Sequence, residues 1–223
     1  MAYFQYPQSA LFENRLTKET FYERISLTPA LKRSFIDDIQ SIQWRYKLAQ
    51  STINLQAGDE FKEVQVFQIK LKKDYIDEVL LRAIDLVVPY PIIFEIITNS
   101  GIYITSAHKK LNANGAGMIV DKTYFKSELF PHDTKRQPLP TAISLERLYE
   151  EIFKSIMPAT IQAEEDTEPV EALIAKSAEI DKIQKEITKL KTRIRNEKQF
   201  NKKVELNNGL KDLEYVLKGL QKP

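Results

Sequence analysis

Two hydrophobic rhythms divide this chain, and they restrict what it can fold into. Before Pro158, stretches of strict alternation give way to stretches spaced three and four apart; beyond Pro169 only the three-four spacing remains. Alternation buries one face of a strand, and three-four spacing buries one stripe of a helix. The first part therefore predicts a sheet with helices on it, and the last part predicts helices alone.

The clearest strand is Ile42, Trp44, Tyr46 and Leu48, alternating with Gln43, Arg45 and Lys47. Val64 to Leu71 is rich in β-branched and aromatic residues and predicts a second strand. Tyr75, Val79, Leu80, Ala83, Ile84 and Val87 then recur at helical spacing until Pro89 and Pro91 end the helix. Ile92 to Ile97 is apolar on both faces except at Glu95, as a strand covered on both sides would be, and Asn99-Ser-Gly turns it into Ile102-Tyr-Ile-Thr. Met118 to Phe125 predicts one more strand, and Pro131 to Pro140 an irregular connection.

Helices are signalled by caps. Thr20 and Glu23 have capping-box spacing, with Thr17 as an earlier candidate cap, and Thr28-Pro29 opens a helix running to about Ile39. Ser144 caps a helix whose apolar face is Leu145, Leu148, Ile152 and Ile156, with Ile143 and Leu148 placed as a hydrophobic staple. The fold class is α/β in the α+β sense: a mixed β-sheet with flanking helices, followed by a C-terminal helical hairpin or coiled coil. The boundaries are a globular domain over 1–157, a linker over 158–169 and a tail over 170–223.

In the tail, Ile180, Ile183, Ile187, Leu190 and Ile194 form one stripe, and Leu206, Leu210, Leu213, Leu217 and Leu220 form another. The two are out of phase, since a heptad count from Ile187 puts Glu197, Asn201 and Asn208 on the seam. A hairpin buries both stripes without a partner, so it is favoured over one long helix.

The chemistry classes narrow quickly. The chain has no cysteine, which removes disulfides, thiolate nucleophiles and the usual structural zinc sites and suits a reducing compartment. A formal charge of +2 gives no global field for nucleic acid. His108 and His132 are the only histidines, neither at metal-ligand spacing, and both are read as ordinary surface residues. No serine elbow or phosphate-cradling glycine loop occurs, and no stretch matches a signal peptide or a membrane span. The expectation is a cytoplasmic protein with no membrane association, no cofactor and no metal.

Three groups of residues still carry chemistry. In metal-dependent nucleases an acid on one strand, and a Glu or Gln two residues before a Lys on the next, hold Mg²⁺ and the attacking water. Gln68-Ile-Lys70 has that form, with Asp59 or Glu60 as the acid. Glu95 joins them as a mid-strand charge that needs a partner or a cleft; the plainer reading has it facing solvent on a less central strand. The second group is Lys189, Lys191, Arg193, Arg195, Lys198, Lys202 and Lys203, a basic density suited to a phosphate backbone but spread around the helix, so that a solvated face is the simpler reading. The third is Gln199, Phe200, Asn201, Val204, Glu205 and Asn207, where amides and apolar residues meet at the phase change; they either shape a turn or dock a partner.

Ile42-Gln-Trp-Arg-Tyr-Lys-Leu, Glu63-Val-Gln-Val-Phe, Ile84-Asp-Leu-Val-Val-Pro-Tyr-Pro-Ile-Ile-Phe, Leu139-Pro-Thr-Ala-Ile-Ser-Leu-Glu-Arg-Leu-Tyr and Glu197-Lys-Gln-Phe-Asn-Lys-Lys-Val-Glu-Leu-Asn span nearly the whole chain. In this order they resemble the prokaryotic domain of unknown function 4391 family. The resemblance brings no catalytic motif. It implies a setting beside DNA methyltransferases and helicases of restriction or phage-defence type.

The expected function is a non-enzymatic accessory subunit of such an assembly, docking a protein partner such as a helicase or DNA methyltransferase through its tail. The alternatives are a divergent nuclease using Mg²⁺ and a tail-driven homo-oligomer. Nucleic acid would meet the basic tail.

Overall fold

The computed structural model describes residues 2–22, 28–115, 117–161 and 168–221. Strands β1 (Phe4–Gln5) and β2 (Leu11–Leu16) precede helices α1 (Glu19–Tyr22) and α2 (Pro29–Asp38). Next come β3 (Ile39–Ala49), the short α3 (Gln50–Ile53), β4 (Glu63–Leu71), α4 (Glu78–Val87), β5 (Ile92–Ile97), β6 (Ile102–Leu111), β7 (Met118–Lys126), β8 (Gln137–Pro138) and α5 (Leu145–Ile156). Helices α6 (Val170–Asn196) and α7 (Phe200–Leu220) follow. The chain divides into two compact units, residues 1–157 and 158–223.

The first unit is a six-stranded mixed sheet in the order β2-β3-β4-β5-β6-β7. Among the described strands of this sheet only β4 and β5 run parallel, because α4 carries the chain between them; a parallel pair needs such a crossover, whereas the other neighbours are antiparallel. One face buries Phe67, Ile69, Phe94 and Ile96 with Phe35 of α2 and Leu80, Leu81 and Ile84 of α4. On β4 the intervening Val64 and Val66 are equally buried, since successive side chains point to opposite faces. On β6 and β7, His108 and Phe125 pack against α5, with His108 stacked on Tyr149 and Phe125 edge-on to Phe153. Helices on both faces make the central strands apolar on both sides.

The local signals explain most of these elements. Thr28 Oγ1 accepts from Leu31 N, Asp77 Oδ1 from Val79 N and Ser144 Oγ from Arg147 N, each supplying an acceptor to an otherwise orphaned amide. A Cβ at Gly58 would sit 1.9 Å from the Glu146 carboxyl carbon, so a larger residue there would displace that side chain. That carboxylate in turn accepts from Glu60 N at 2.6 Å and ties the loop before β4 to α5.

Four expectations change. Helix α1 begins at Glu19, so Thr20 lies inside it, its hydroxyl 3.2 Å from that of Thr17; Glu23 of the expected capping box lies outside the described residues. Tyr75 precedes α4 and is exposed, as is Val79, because the cap at Asp77 rotates the buried stripe onto Leu80, Leu81, Ala83 and Ile84. Ile143 is 90 % exposed, so no staple forms with Leu148. His108 is buried in its aromatic stack and is not a surface residue.

The second unit is a helical pair. Helix α6 buries Val170, Leu173, Ser177, Ile180, Ile183 and Ile187 along one stripe. The helix stops at Asn196, Glu197 and Gln199 are extended, and α7 restarts at Phe200, at the phase change that the heptad count marks. Within this unit the two helices pack on each other, and Lys191 Nζ meets Glu214 Oε1 at 2.9 Å. No described helix is long and apolar enough to cross a membrane.

Candidate functional site

The register of the sheet decides what the nuclease-like residues can do. Gln68 on β4 lies directly beside Glu95 on β5, with Gln43 of β3 and Arg15 of β2 continuing the same row outward. Directly opposite residues share a face, so these four side chains form one polar row on the face away from α4. Lys70, two residues on, shares that face and is exposed beside Ser41.

Glu95 is 1 % exposed, against the reading that it faces solvent. A buried carboxylate requires a cation, and the irregular stretch after β7 supplies one. Arg136 Nη1 donates to Glu95 Oε1 at 2.6 Å and Nη2 to Oε2 at 2.8 Å, a two-pronged pairing whose planar geometry suits a carboxylate. Gln68 Nε2 donates to Oε2 at 2.8 Å. Both carboxylate oxygens are thereby engaged by side-chain donors.

Arg136 also donates to the Phe4 carbonyl at 2.7 Å, and its guanidinium lies 4.1 Å from the centre of the Tyr3 ring. It thus ties the β1–β8 pair, in which Phe4 faces Gln137, to the sheet. Burial works against the charged guanidinium, and Glu95 more than offsets it, so Arg136 titrates above its ordinary range. Burial raises the hydroxyl of Tyr6 well above the usual tyrosine value, and the neighbouring Glu95 adds to that shift.

Asp59 and Glu60 lie elsewhere. They sit in the loop before Glu63, and Gln68 is five residues further along β4, roughly 17 Å at ~3.3 Å per residue. Glu60 accepts from Leu111 N at 3.1 Å, in keeping with its place at the far end of the sheet. The structure therefore brings Gln68 and Glu95 together, leaves Lys70 beside them, and keeps Asp59 and Glu60 apart. Among the described residues no group of three or more His, Cys, Asp or Glu is arranged to hold a metal ion.

A second buried charge pair lies on the α4 face, and the sequence reading passed over it. Lys109 Nζ meets Asp85 Oδ1 at 2.8 Å and donates to the carbonyls of Asp85, Val88 and Tyr90 at 2.8, 3.0 and 2.9 Å. The first two carbonyls lie in the last turn and C-cap of α4, where a cation complements the helix dipole, and Tyr90 follows in the connection to β5. The Tyr124 hydroxyl donates to Asp85 Oδ2 at 2.5 Å. Burial pushes Asp85 up against the opposing pull of Lys109, and it pushes Lys109 down against Asp85.

In the second unit the basic residues Lys189, Lys191, Arg193, Arg195, Lys198, Lys202 and Lys203 are all exposed. Lys182, Lys185, Lys189 and Arg193 share one face by their spacing, whereas Lys191 points toward Glu214 on α7. Gln199, Phe200, Asn201, Val204 and Glu205 are also exposed, and Asn207 is half-buried with its amide on the Lys203 carbonyl at 2.7 Å. Helix α7 buries none of its side chains; Phe200 is 78 % and Tyr215 81 % exposed. Phe200, Val204, Asn208, Lys211 and Tyr215 follow three-four spacing, a stripe distinct from the half-buried leucines.

Glu197 shapes the joint between the helices, its Oε1 accepting from Gln199 N at 2.8 Å. That bond holds the carboxyl below the ordinary glutamate range. A depressed carboxylate contributes stability that is present above its unfolded value and lost as pH falls through the folded one. The expected result is a Gln199 amide resonance that shifts with a midpoint below 4.5, the ordinary value, in an NMR titration. A midpoint at or above that value would remove this cap.

A family model described as domain of unknown function (DUF4391) matches residues 4–217, nearly the whole chain. No curated protein matches the chain, and no solved structure does.

Proposed function

The chain belongs to the DUF4391 family, and we propose that it is a non-enzymatic accessory subunit that docks another protein through the outer face of α7. One observation carries this reading: a 21-residue helix that buries no side chain keeps Phe200, Val204, Tyr215 and Val216 exposed. Aromatic residues open to solvent beside amides are the composition of an interface core and its rim. The partner is a helical segment with acidic residues flanking an apolar stripe. Residues 182–203 carry nine Lys or Arg against Glu186 and Glu197, and Lys211 lies on the docking stripe itself.

Glu95 favours this reading over the nuclease, because Arg136 and Gln68 already engage the oxygens a Mg²⁺ ion would need. The setting implied by the family is a DNA restriction or phage-defence assembly. A helicase or DNA methyltransferase is therefore the first partner to test.

The test is quantitative capture from the native host by the full chain and by Phe200→Asp with Tyr215→Asp. The expected outcome is one partner retained by the unchanged chain, lost about tenfold or more in the variant and weakened by salt. Equal retention would remove the assignment. A concentration-dependent dimer abolished by the same changes would give the face to a second copy of the chain instead.

A further inference from the structure

A cleft of about 310 Å³ opens on the α4 side of the sheet. Its apolar lining comes from Trp44 and Phe67 on the strands and from Phe21, Val87 and Tyr90 on the segments beside them. Asn14, Thr20, Glu63 and Gln65 add polar side chains. Glu63 and Gln65 share a face of β4 and are 7 % and 4 % exposed.

Their mutual hydrogen bond fixes what the cleft offers. Gln65 Nε2 donates to Glu63 Oε1, while Glu63 Oε2 pairs with Lys47 Nζ at 2.9 Å. A carboxylate only accepts, so the amide must present nitrogen to it. The second amide hydrogen and the carbonyl oxygen of Gln65 take no other bond among the described residues. Desolvating such a group is costly, and a ligand that meets both atoms offsets that cost.

A donor beside an acceptor is the edge that glutamine uses to read adenine, through the amino group and an adjacent ring nitrogen. The size agrees, since small-molecule pockets run from ~300 to ~1,000 Å³ and this one lies at the lower end. The charge agrees too. Among the described residues no Lys or Arg lines the cleft, and the charge of nearby Lys47 is taken by Glu63, so nothing described there would draw a phosphate in. We propose that this cleft binds an adenine-type base, its ring against Trp44 and its amino edge on Gln65.

Trp44 is the chain's sole tryptophan, so its fluorescence reports occupancy directly. Adenosine is expected to change the emission saturably. Purine riboside, which lacks the amino group, should bind about tenfold or more weaker, as should adenosine to Gln65→Leu. Val87→Phe, on the half-exposed side of the cleft, should abolish the response and keeps the test alive if Gln65→Leu fails to fold. No saturable change at millimolar adenosine, or equal binding of purine riboside, would overturn the proposal.

A single-stranded oligodeoxyadenylate identifies the source. Binding tenfold or more tighter than adenosine assigns the cleft to a base in a nucleic acid; equal or weaker binding assigns it to a free nucleoside. Either result supports the adenine subsite, independently of docking at α7.

Discussion

Lys109→Met is expected to lower the melting temperature of this protein by roughly 6–20 °C. Removing one member of a buried ion pair costs ~3–5 kcal/mol, because the other charge stays buried without a counterion. At ~2–4 °C per kcal/mol for a unit of this size, that gives the stated drop. The loss is compounded because Lys109 also serves the carbonyls of Asp85, Val88 and Tyr90 at and just beyond the end of α4. Whole-domain stabilities are only ~5–15 kcal/mol, so the variant sits near the edge of folding.

Asp85→Leu alone should also destabilise, and the double variant should cost clearly less than the sum of the two. Replacing both charges removes the uncompensated one. Additive losses in urea unfolding would contradict the pairing. The pH dependence follows from the same burial. Asp85 titrates above its unfolded value of 3.8, so its contribution is fully present below that pH and is lost as pH rises through the folded value. Lys109 titrates below 10.5, so its contribution is present above that pH and lost as pH falls through the folded value. Asp85→Leu should flatten the acid-side dependence.

Arg136→Met is the second large effect. Glu95 would keep only Gln68 as a donor, and a loss of about 3–5 kcal/mol is expected, read by urea unfolding. Because Arg136 also holds the Phe4 carbonyl and covers Tyr3, amides of β1 should exchange faster than those of β4 and β5. Glu95→Gln in the same chain should restore much of the stability by removing the stranded charge. A loss under about 1 kcal/mol from Arg136→Met would place Glu95 with the weak surface pairs.

The elements were legible where the signal is local. Period two marked β3, three-four spacing marked α4, α5 and both tail helices, and Thr28 and Ser144 marked caps that the structure contains. The break between α6 and α7 was readable because the heptad phase slips at Glu197. What stayed hidden was pairing across distance. Glu95 in an apolar strand signals that a cation is needed, yet nothing in its neighbourhood names Arg136, 41 residues away in an irregular stretch.

Lys109 was lost for the same reason. The strand predicted from Ile102-Tyr-Ile-Thr stops short of it, and the carbonyls of Asp85 on α4 and of Val88 and Tyr90 beyond that helix draw the side chain inward. Ile143 failed in the opposite sense, since a staple requires a particular chain entry angle and spacing alone does not set one. The cleft around Gln65 needed the sheet before it could be seen, because Trp44 and Glu63 come together only through strand pairing.

Site-specific photocrosslinking in the native host tests docking most directly. A photoreactive phenylalanine analogue at position 200 or 215 lies on the α7 stripe, and the same analogue at position 143 replaces a residue at least as exposed on the first unit. The expected result is one shared heterologous adduct from positions 200 and 215 that is absent from 143. Adducts of equal yield at all three positions, none at 200 and 215, or an adduct with a second copy of this chain would contradict a partner-docking α7.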